Sequence, residues 1–303
     1  MIKLNEKIES ILPKVFLITF LSTFTVWFFV FSETLSSDLE VNFFDVGQGD
    51  SILIQTPKNQ TLLIDGGPNN KVLEKLGKYL PPLHKRIDIV LLTHPHADHV
   101  SGLIGVLRRY EVGVVILSGA DLKTDVYQEF LKVVIEKNIS VVIAQAGEAI
   151  HFDENLELDI LAPKHKEDSV FNKKSESFGS SGNDVNDTSI VGKLIFNNFG
   201  MLLTGDATFK IENQLLIYGE GLKSDILKAG HHGSKYSSSL SFLKFVSPKA
   251  AIIEVGAKNR YGHPSDSVLK RLKNINADVF RTDQNGDIKI SSDGFTTNIY
   301  QEK

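Results

Sequence analysis

Cysteine is absent from all 303 residues, which excludes thiolate nucleophiles and cysteine-ligated zinc. A basic excess is absent too. Lys and Arg total 33 against 37 Asp and Glu, a formal net charge of -4, so composition offers no broad electrostatic capture of a nucleic-acid backbone. Short basic pairs at Lys85-Arg86, Arg108-Arg109 and Lys270-Arg271 read as solvated faces. Ser51 and Ser234 stand in no independent triad signature. No internal repeat or second boundary within the globular part is visible. Hydrophobic content of 42% and charged content of 23% are ordinary for a globular protein. Imidazoles and carboxylates remain as the ligand-type groups.

Those groups are concentrated. Thr93-His94-Pro95-His96-Ala97-Asp98-His99 packs three imidazoles and a carboxylate directly after Ile87 to Leu92, an apolar run that reads as a buried strand. A tight turn of this composition points nitrogen and oxygen donors in alternating directions, which suits two adjacent divalent cations. One ion can take His94 and His96; the other can take Asp98 and His99. A single loop cannot close two coordination spheres, and further ligand types follow other strands. Asp65 closes Leu62-Leu63-Ile64, Asp206 closes Met201-Leu202-Leu203-Thr204-Gly205, His231 and His232 follow Ile226 to Gly230, and His263 follows Ala250 to Val255. Strand ends of an α/β sheet commonly converge on one edge to build a site.

Phe43-Phe44-Asp45-Val46-Gly47-Gln48-Gly49-Asp50-Ser51, Leu63-Ile64-Asp65-Gly66-Gly67, the histidine motif, Leu203-Thr204-Gly205-Asp206 and His231-His232-Gly233-Ser234-Lys235 together resemble the metallo-β-lactamase fold. Within it they resemble the hydrolase domain of ComEC-type competence proteins, from about Asp38 to the C-terminus. The resemblance implies a four-layer αββα sandwich and two divalent metal ions, zinc or manganese. It implies one ion on His94 and His96, another on Asp98, His99 and a late histidine from among His231, His232 and His263, and Asp206 bridging both. His232 is the favoured ligand of its pair, with His231 as a neighbour that hydrogen-bonds or protonates. Asp65 is expected to orient a ligand imidazole through its free ring nitrogen. The chain departs from the broader superfamily between Gly182 and Ser189, where many members carry a metal-binding histidine and this chain has Asn186 and Asp187.

Two close cations lower the pKa of a shared water and clamp the entering and leaving oxygens of a phosphoryl group. The expected reaction is phosphoester or phosphodiester hydrolysis by a metal-bridged hydroxide, with Asp98 and His231 as candidate catalytic groups. Lys235 and the serine run Ser237-Ser238-Ser239 are further candidates for phosphate contact. Single-stranded DNA or a phosphorylated envelope component is the expected substrate, and a channel protein the expected partner. The rival reading is a non-hydrolytic accessory subunit of a DNA-uptake channel; a hydrolase of another ester or amide is a third.

Residues 1–37 differ in kind from the rest. Val15 to Ser32 carries no charge and as a helix extends roughly 27 Å, close to a bilayer core. A single transmembrane helix over about residues 15–32 is expected, anchoring a hydrolase domain at 38–303, with a cleavable signal peptide as the competing reading. Lys3, Lys7 and Lys14 precede the run, and Glu33, Asp38 and Glu40 follow it. That asymmetry keeps the N-terminus in the cytoplasm and puts the catalytic domain on the extracytoplasmic side. One span would not itself conduct DNA. Elsewhere helices are expected at Lys71 to Tyr79, Gly102 to Arg109, Tyr127 to Lys137, Lys210 to Tyr218 and Ser265 to Lys273. Lys164 to Asp187 reads as a polar loop that could act as a lid.

Overall fold

Short apolar strands with period-two burial and amphipathic helices between them sort this chain into layers. The computed structural model describes residues 2–32, 38–81, 84–164 and 185–303. Contacts divide the chain into two units, Met1–Ser37 and Asp38–Lys303.

In the first unit, helix α1 (Ile2–Ser32) carries Pro13 inside it. Side chains from Ile11 to Trp27 are exposed, among them Phe16, Ile18 and Phe20. Among the described residues no helix is long and apolar enough to cross a membrane. The apolar run expected to span continues past residue 27, where the described side chains of α1 end.

The second unit holds two sheets. β1 (Leu39–Phe43), β2 (Ile52–Gln55), β3 (Thr61–Ile64), β4 (Arg86–Leu92), β5 (Glu111–Leu117) and β6 (Ser140–Ile143) build most of the first. β7 (Ala149–Asp153), β8 (Leu156–Ala162), β9 (Val191–Phe196), β10 (Phe199–Leu203), β11 (Ile226–Lys228), β12 (Ala250–Ile253) and β13 (Asp278–Arg281) build the second. β14 (Ile288–Ser292) and β15 (Thr297–Gln301) return to the first, which runs β15-β14-β1-β2-β3-β4-β5-β6. The second runs β13-β12-β11-β10-β9-β8-β7. Each sheet is antiparallel in one half and parallel in the other: β3 to β6 pair in parallel, as do β10 to β13.

Parallel pairs need crossovers, and these carry the helices. α2 (Lys71–Tyr79), α3 (Ala97–Arg109) and α4 (Asp125–Glu136) cover the outer face of the first sheet; α5 (Phe209–Leu215), α6 (Leu240–Val246) and α7 (Asp266–Asn274) cover the second. α8 (Thr282–Asn285) is one turn after β13. Alternation decides the layers. Leu62 and Ile64 face Leu158, Leu194 and Met201 between the sheets, whereas Leu63 packs outward with Val100 and Leu103 of α3. The result is the four-layer αββα sandwich that the motifs implied.

Two differences from the sequence reading have physical reasons. α3 begins at Ala97 rather than Gly102, so Asp98 and His99 lie on a helical turn, not in a loop; a histidine-rich stretch hides helical onset because its polar residues interrupt the apolar period. The helix expected over Lys210 to Tyr218 ends at Leu215 and tightens into a 3-10 segment. The suggested lid lies, for 165–184, outside the described residues.

Candidate metal centre

The centre sits where the parallel strands of both sheets end. Asp65 follows β3 at a positive φ of 57°. Its Oδ1 accepts from Thr93 N at 2.8 Å and its Oδ2 from Thr93 Oγ1 at 2.7 Å. The same Oδ2 lies 2.7 Å from His99 Nδ1. That contact fixes the ring so that Nε2 turns away from Asp65. Asp98 lies in the first turn of α3, where the helix dipole favours a carboxylate. His231 and His232 lie in the turn after β11 with φ of 48° and 52°, a left-handed pair that non-glycine residues adopt at a cost. His232 Nδ1 is 2.9 Å from Glu254 O, which leaves its Nε2 as the donor available to an ion.

Asp206, after β10, is the meeting point. Its Oδ2 lies 3.5 Å from His99 Nε2, 3.5 Å from His232 Nε2, 3.8 Å from His231 Nε2 and 4.0 Å from His94 Nε2. Asp98 Oδ2 is 3.4 Å from His232 Nε2, and His94 Nε2 is 3.1 Å from His96 Nδ1. Donors sharing one tetrahedral zinc-sized ion stand roughly 3.3 Å apart, so these spacings fit two ligand sets that share Asp206. His99 Nε2, His232 Nε2 and Asp206 Oδ1 are buried without a hydrogen-bond partner among the described residues. Buried polar atoms normally find partners, and a divalent cation satisfies this set. Groups of His94, His99 and Asp206, and of Asp98, His99 and His232, each bring their donor atoms within 4.8 Å of one another.

Electrostatics point the same way. Burial alone would lower the His232 imidazole, but Asp206 and Asp50 overcome it and push it up to about 10. Burial is likewise overcome at His99 by Asp206 and Asp65, which hold it well above the usual histidine range. Burial and the neighbouring His99 hold His94 well below that range. For Asp98 burial would raise the carboxyl, yet His232 and His99 keep it well below its ordinary value. A cation is what this cluster of carboxylates attracts: without one, two of its histidines carry protons instead.

The predicted residues separate by position. His94, His96, Asp98, His99, Asp206, His231 and His232 come together, with Asp65 behind His99. His263 does not join the tight groups; it lines the cavity of about 310 Å³ beside them, with its ring 5.7 Å from that of His231. Burial, then His231 and His232, bring its imidazole down to about 4. Asn186 lines the same cavity. Asp187 does not, because Thr208 Oγ1 and Lys210 Nζ hold its carboxylate. Three residues were missed. Lys228, fully buried at the end of β11, pairs with Asp50, donates to Gly205 O at 2.8 Å and sits 3.7 Å from Asp206 Oδ1. Asp50 Oδ1 is 3.1 Å from His232 Nδ1, and Glu254 Oε1 accepts from Ser51 N at 2.8 Å. Their signal was a lone ionisable residue in or beside an apolar run, as in Ile226-Leu227-Lys228 and Ile252-Ile253-Glu254.

The two-sheet sandwich, with buried histidine and aspartate groups at its strand ends, has the metallo-β-lactamase fold. Residues 44–127 match the model of the metallo-beta-lactamase superfamily. In sequence the chain is similar to competence proteins. It is 29% identical over 283 residues to ComE operon protein 3 of Bacillus subtilis, covering 88% of this chain and 34% of that protein. It is 28% identical over 259 residues to the competence protein ComA of Neisseria gonorrhoeae, covering 84% and 32%. The chain thus spans about a third of the length of these curated relatives. Among solved structures, the metallo-beta-lactamase fold protein YhfI from Bacillus subtilis superimposes with a TM-score of 0.56 at 14% identity, covering 84% of this chain and all of that one. The fold implies divalent metal binding, and the buried histidine and aspartate groups are its candidate ligands.

Proposed function

We propose that the chain is a membrane-anchored hydrolase that cleaves a phosphodiester at a centre for two divalent ions. The observation that carries this reading is Asp206 Oδ2 standing 3.5 to 4.0 Å from four imidazole nitrogens. One ion would be held by His94, His96, His231 and Asp206, the other by Asp98, His99, His232 and Asp206. His231 then takes the place left by the histidine missing near Asn186. Histidine and carboxylate donors suit zinc or manganese.

Such ions would supply Lewis-acid charge for the attacked phosphoryl group and a water of lowered pKa. The chain's own groups do the positioning. Asp65 holds His99 by its Nδ1, the Glu254 carbonyl holds His232 by its Nδ1, and Lys228 balances Asp50 beneath them. His263 is neutral at pH 7 and faces the cavity with Gln48 and Asn186, so all three can hydrogen-bond a substrate rather than repel it. Single-stranded DNA or a phosphorylated envelope component is the substrate class, and a channel protein the partner.

For the anchor, support comes from the exposed apolar side chains of residues 11–27 and from the lysines before the run and acids after it. The catalytic unit is then extracytoplasmic. The test of the reaction is hydrolysis of bis-p-nitrophenyl phosphate by the full chain, stripped of metal and reloaded with zinc or manganese, with metal counted per chain. Turnover should return with two ions and be lost in Asp206→Ala. Turnover that survives stripping or that substitution would overturn the reading.

A further inference from the structure

A second cavity of about 380 Å³ adjoins the metal cavity; the two share Gln48, Ala97, Asp98 and Tyr261 in their walls. Its outer wall is the segment after β12, which brings Lys258 and Arg260 to its rim. Both are exposed. Cations flanking this segment are paired: Lys249 with Asp225 and Arg281 with Asp283. Lys258 and Arg260 have no carboxylate partner among the described residues.

The segment is held in shape, which an idle surface loop does not require. Asn259 Nδ2 donates to Gly256 O at 2.9 Å and to His263 O at 2.8 Å, while its Oδ1 accepts from His263 N at 2.9 Å and Tyr261 N at 3.2 Å. Gln48 Oε1 ties Gly256 N from the opposite sheet at 3.2 Å. Arg260 Nη2 donates to Tyr261 Oη at 3.2 Å, which sets the guanidinium at the cavity mouth. Tyr261 is 55% exposed, an aromatic surface between the two cavities.

We infer that this second cavity is a subsite for the part of a single-stranded oligonucleotide that continues away from the phosphate under attack. The inference rests on the hydrolase reading for its place beside the centre. A substrate with one phosphate is served by the metal cavity alone. A chain of phosphates needs further positive charge at the next position, and Lys258 and Arg260 provide it with no carboxylate to displace. The Arg260 guanidinium, lying 5.2 Å over the Tyr261 ring that itself stacks with His263, offers a planar stacking surface to an unpaired base, which duplex DNA does not present. Local charge of this kind explains how a chain of net charge -4 can hold a polyanion.

The test uses the metal-loaded full chain, a fluorescent oligothymidylate and bis-p-nitrophenyl phosphate. Lys258→Ala combined with Arg260→Ala should weaken oligonucleotide binding about tenfold or more and flatten its salt dependence by roughly 1.4 in log-log slope for two lost contacts. Turnover of bis-p-nitrophenyl phosphate should stay within about twofold, because uniform binding at a remote position does not touch a one-phosphate substrate. Tyr261→Leu should weaken binding of oligothymidylate more than of an abasic oligomer of equal length. Oligonucleotide binding unchanged in the double variant, or equal losses with both substrates, would overturn the subsite. Should the wild type hydrolyse neither substrate while the double variant still loses oligonucleotide binding, the hydrolase reading fails and the subsite stands.

Discussion

On the proposed reading Asp65 governs an ion without touching it. Its carboxylate is committed to Thr93 and His99, so its effect passes through the direction of one imidazole. Asp65→Asn places an amide where His99 Nδ1 needs an acceptor. Metal affinity should fall about 10- to 100-fold with the fold retained, as a competition titration against a chelating dye would read; unchanged affinity would mean that other contacts fix the ring. A pH dependence follows from the same groups. With the His232 imidazole pushed up to about 10 and His99 also raised, both carry protons at pH 7, and an ion must expel them. Affinity should therefore rise with pH, with proton release seen by calorimetry in buffers of different ionisation enthalpy. Without metal the sign for stability is opposite. The His232 contribution is fully present below its unfolded pKa of about 6.5 and lost as pH rises toward 10, so the stripped protein should melt at lower temperature at pH 9 than at pH 6.5. That His94, His96, Asp98 and His99 come together was legible because their spacing is itself a ligand-type pattern. Lys228 and Glu254 were not, since a lone charge beside an apolar strand acquires meaning only when the opposite sheet supplies Asp50.

Elements carry these side chains, and their close approaches set the tolerances. α3 delivers Asp98 and His99 from its first turn, and it lies against the turn after β3. A Cβ on Gly102 would meet Gly66 O at 1.9 Å, so Gly102→Ala must push α3 away from that turn. The expected cost is about 1–3 kcal/mol, read as a drop of about 2–4 °C in melting temperature per kcal/mol, together with weaker metal binding as His99 shifts. Gly77 in α2 is the control. Nothing stands within 4 Å of its added Cβ, so Gly77→Ala should stabilise by roughly 0.5–1 kcal/mol through helix propensity and leave metal affinity alone. If Gly102→Ala matched Gly77→Ala in both readouts, α3 would not be held by that contact. Most strands and helices could be read from apolar period alone. The start of α3 and the left-handed pair His231-His232 could not, because both are decided by where ligand atoms must point rather than by hydrophobic pattern.

At the scale of the whole molecule the proposed anchor and its orientation can be tested together. The layers of 38–303 bury their own apolar faces between and outside the sheets, whereas residues 11–27 leave theirs exposed. Exposed apolar surface on that scale needs a cover, and the proposed cover is a bilayer. The absence of cysteine makes the orientation testable without background. A single thiol introduced as Lys123→Cys, at an exposed position before α4, should react with a membrane-impermeant maleimide added to intact cells. One introduced as Asn5→Cys, before the apolar run, should react only after lysis. Reversed labelling would place the catalytic unit in the cytoplasm and turn the charge argument around. Recovery of the full chain in the soluble fraction would remove the anchor itself, since lysines on one side and acids on the other orient only a segment that crosses.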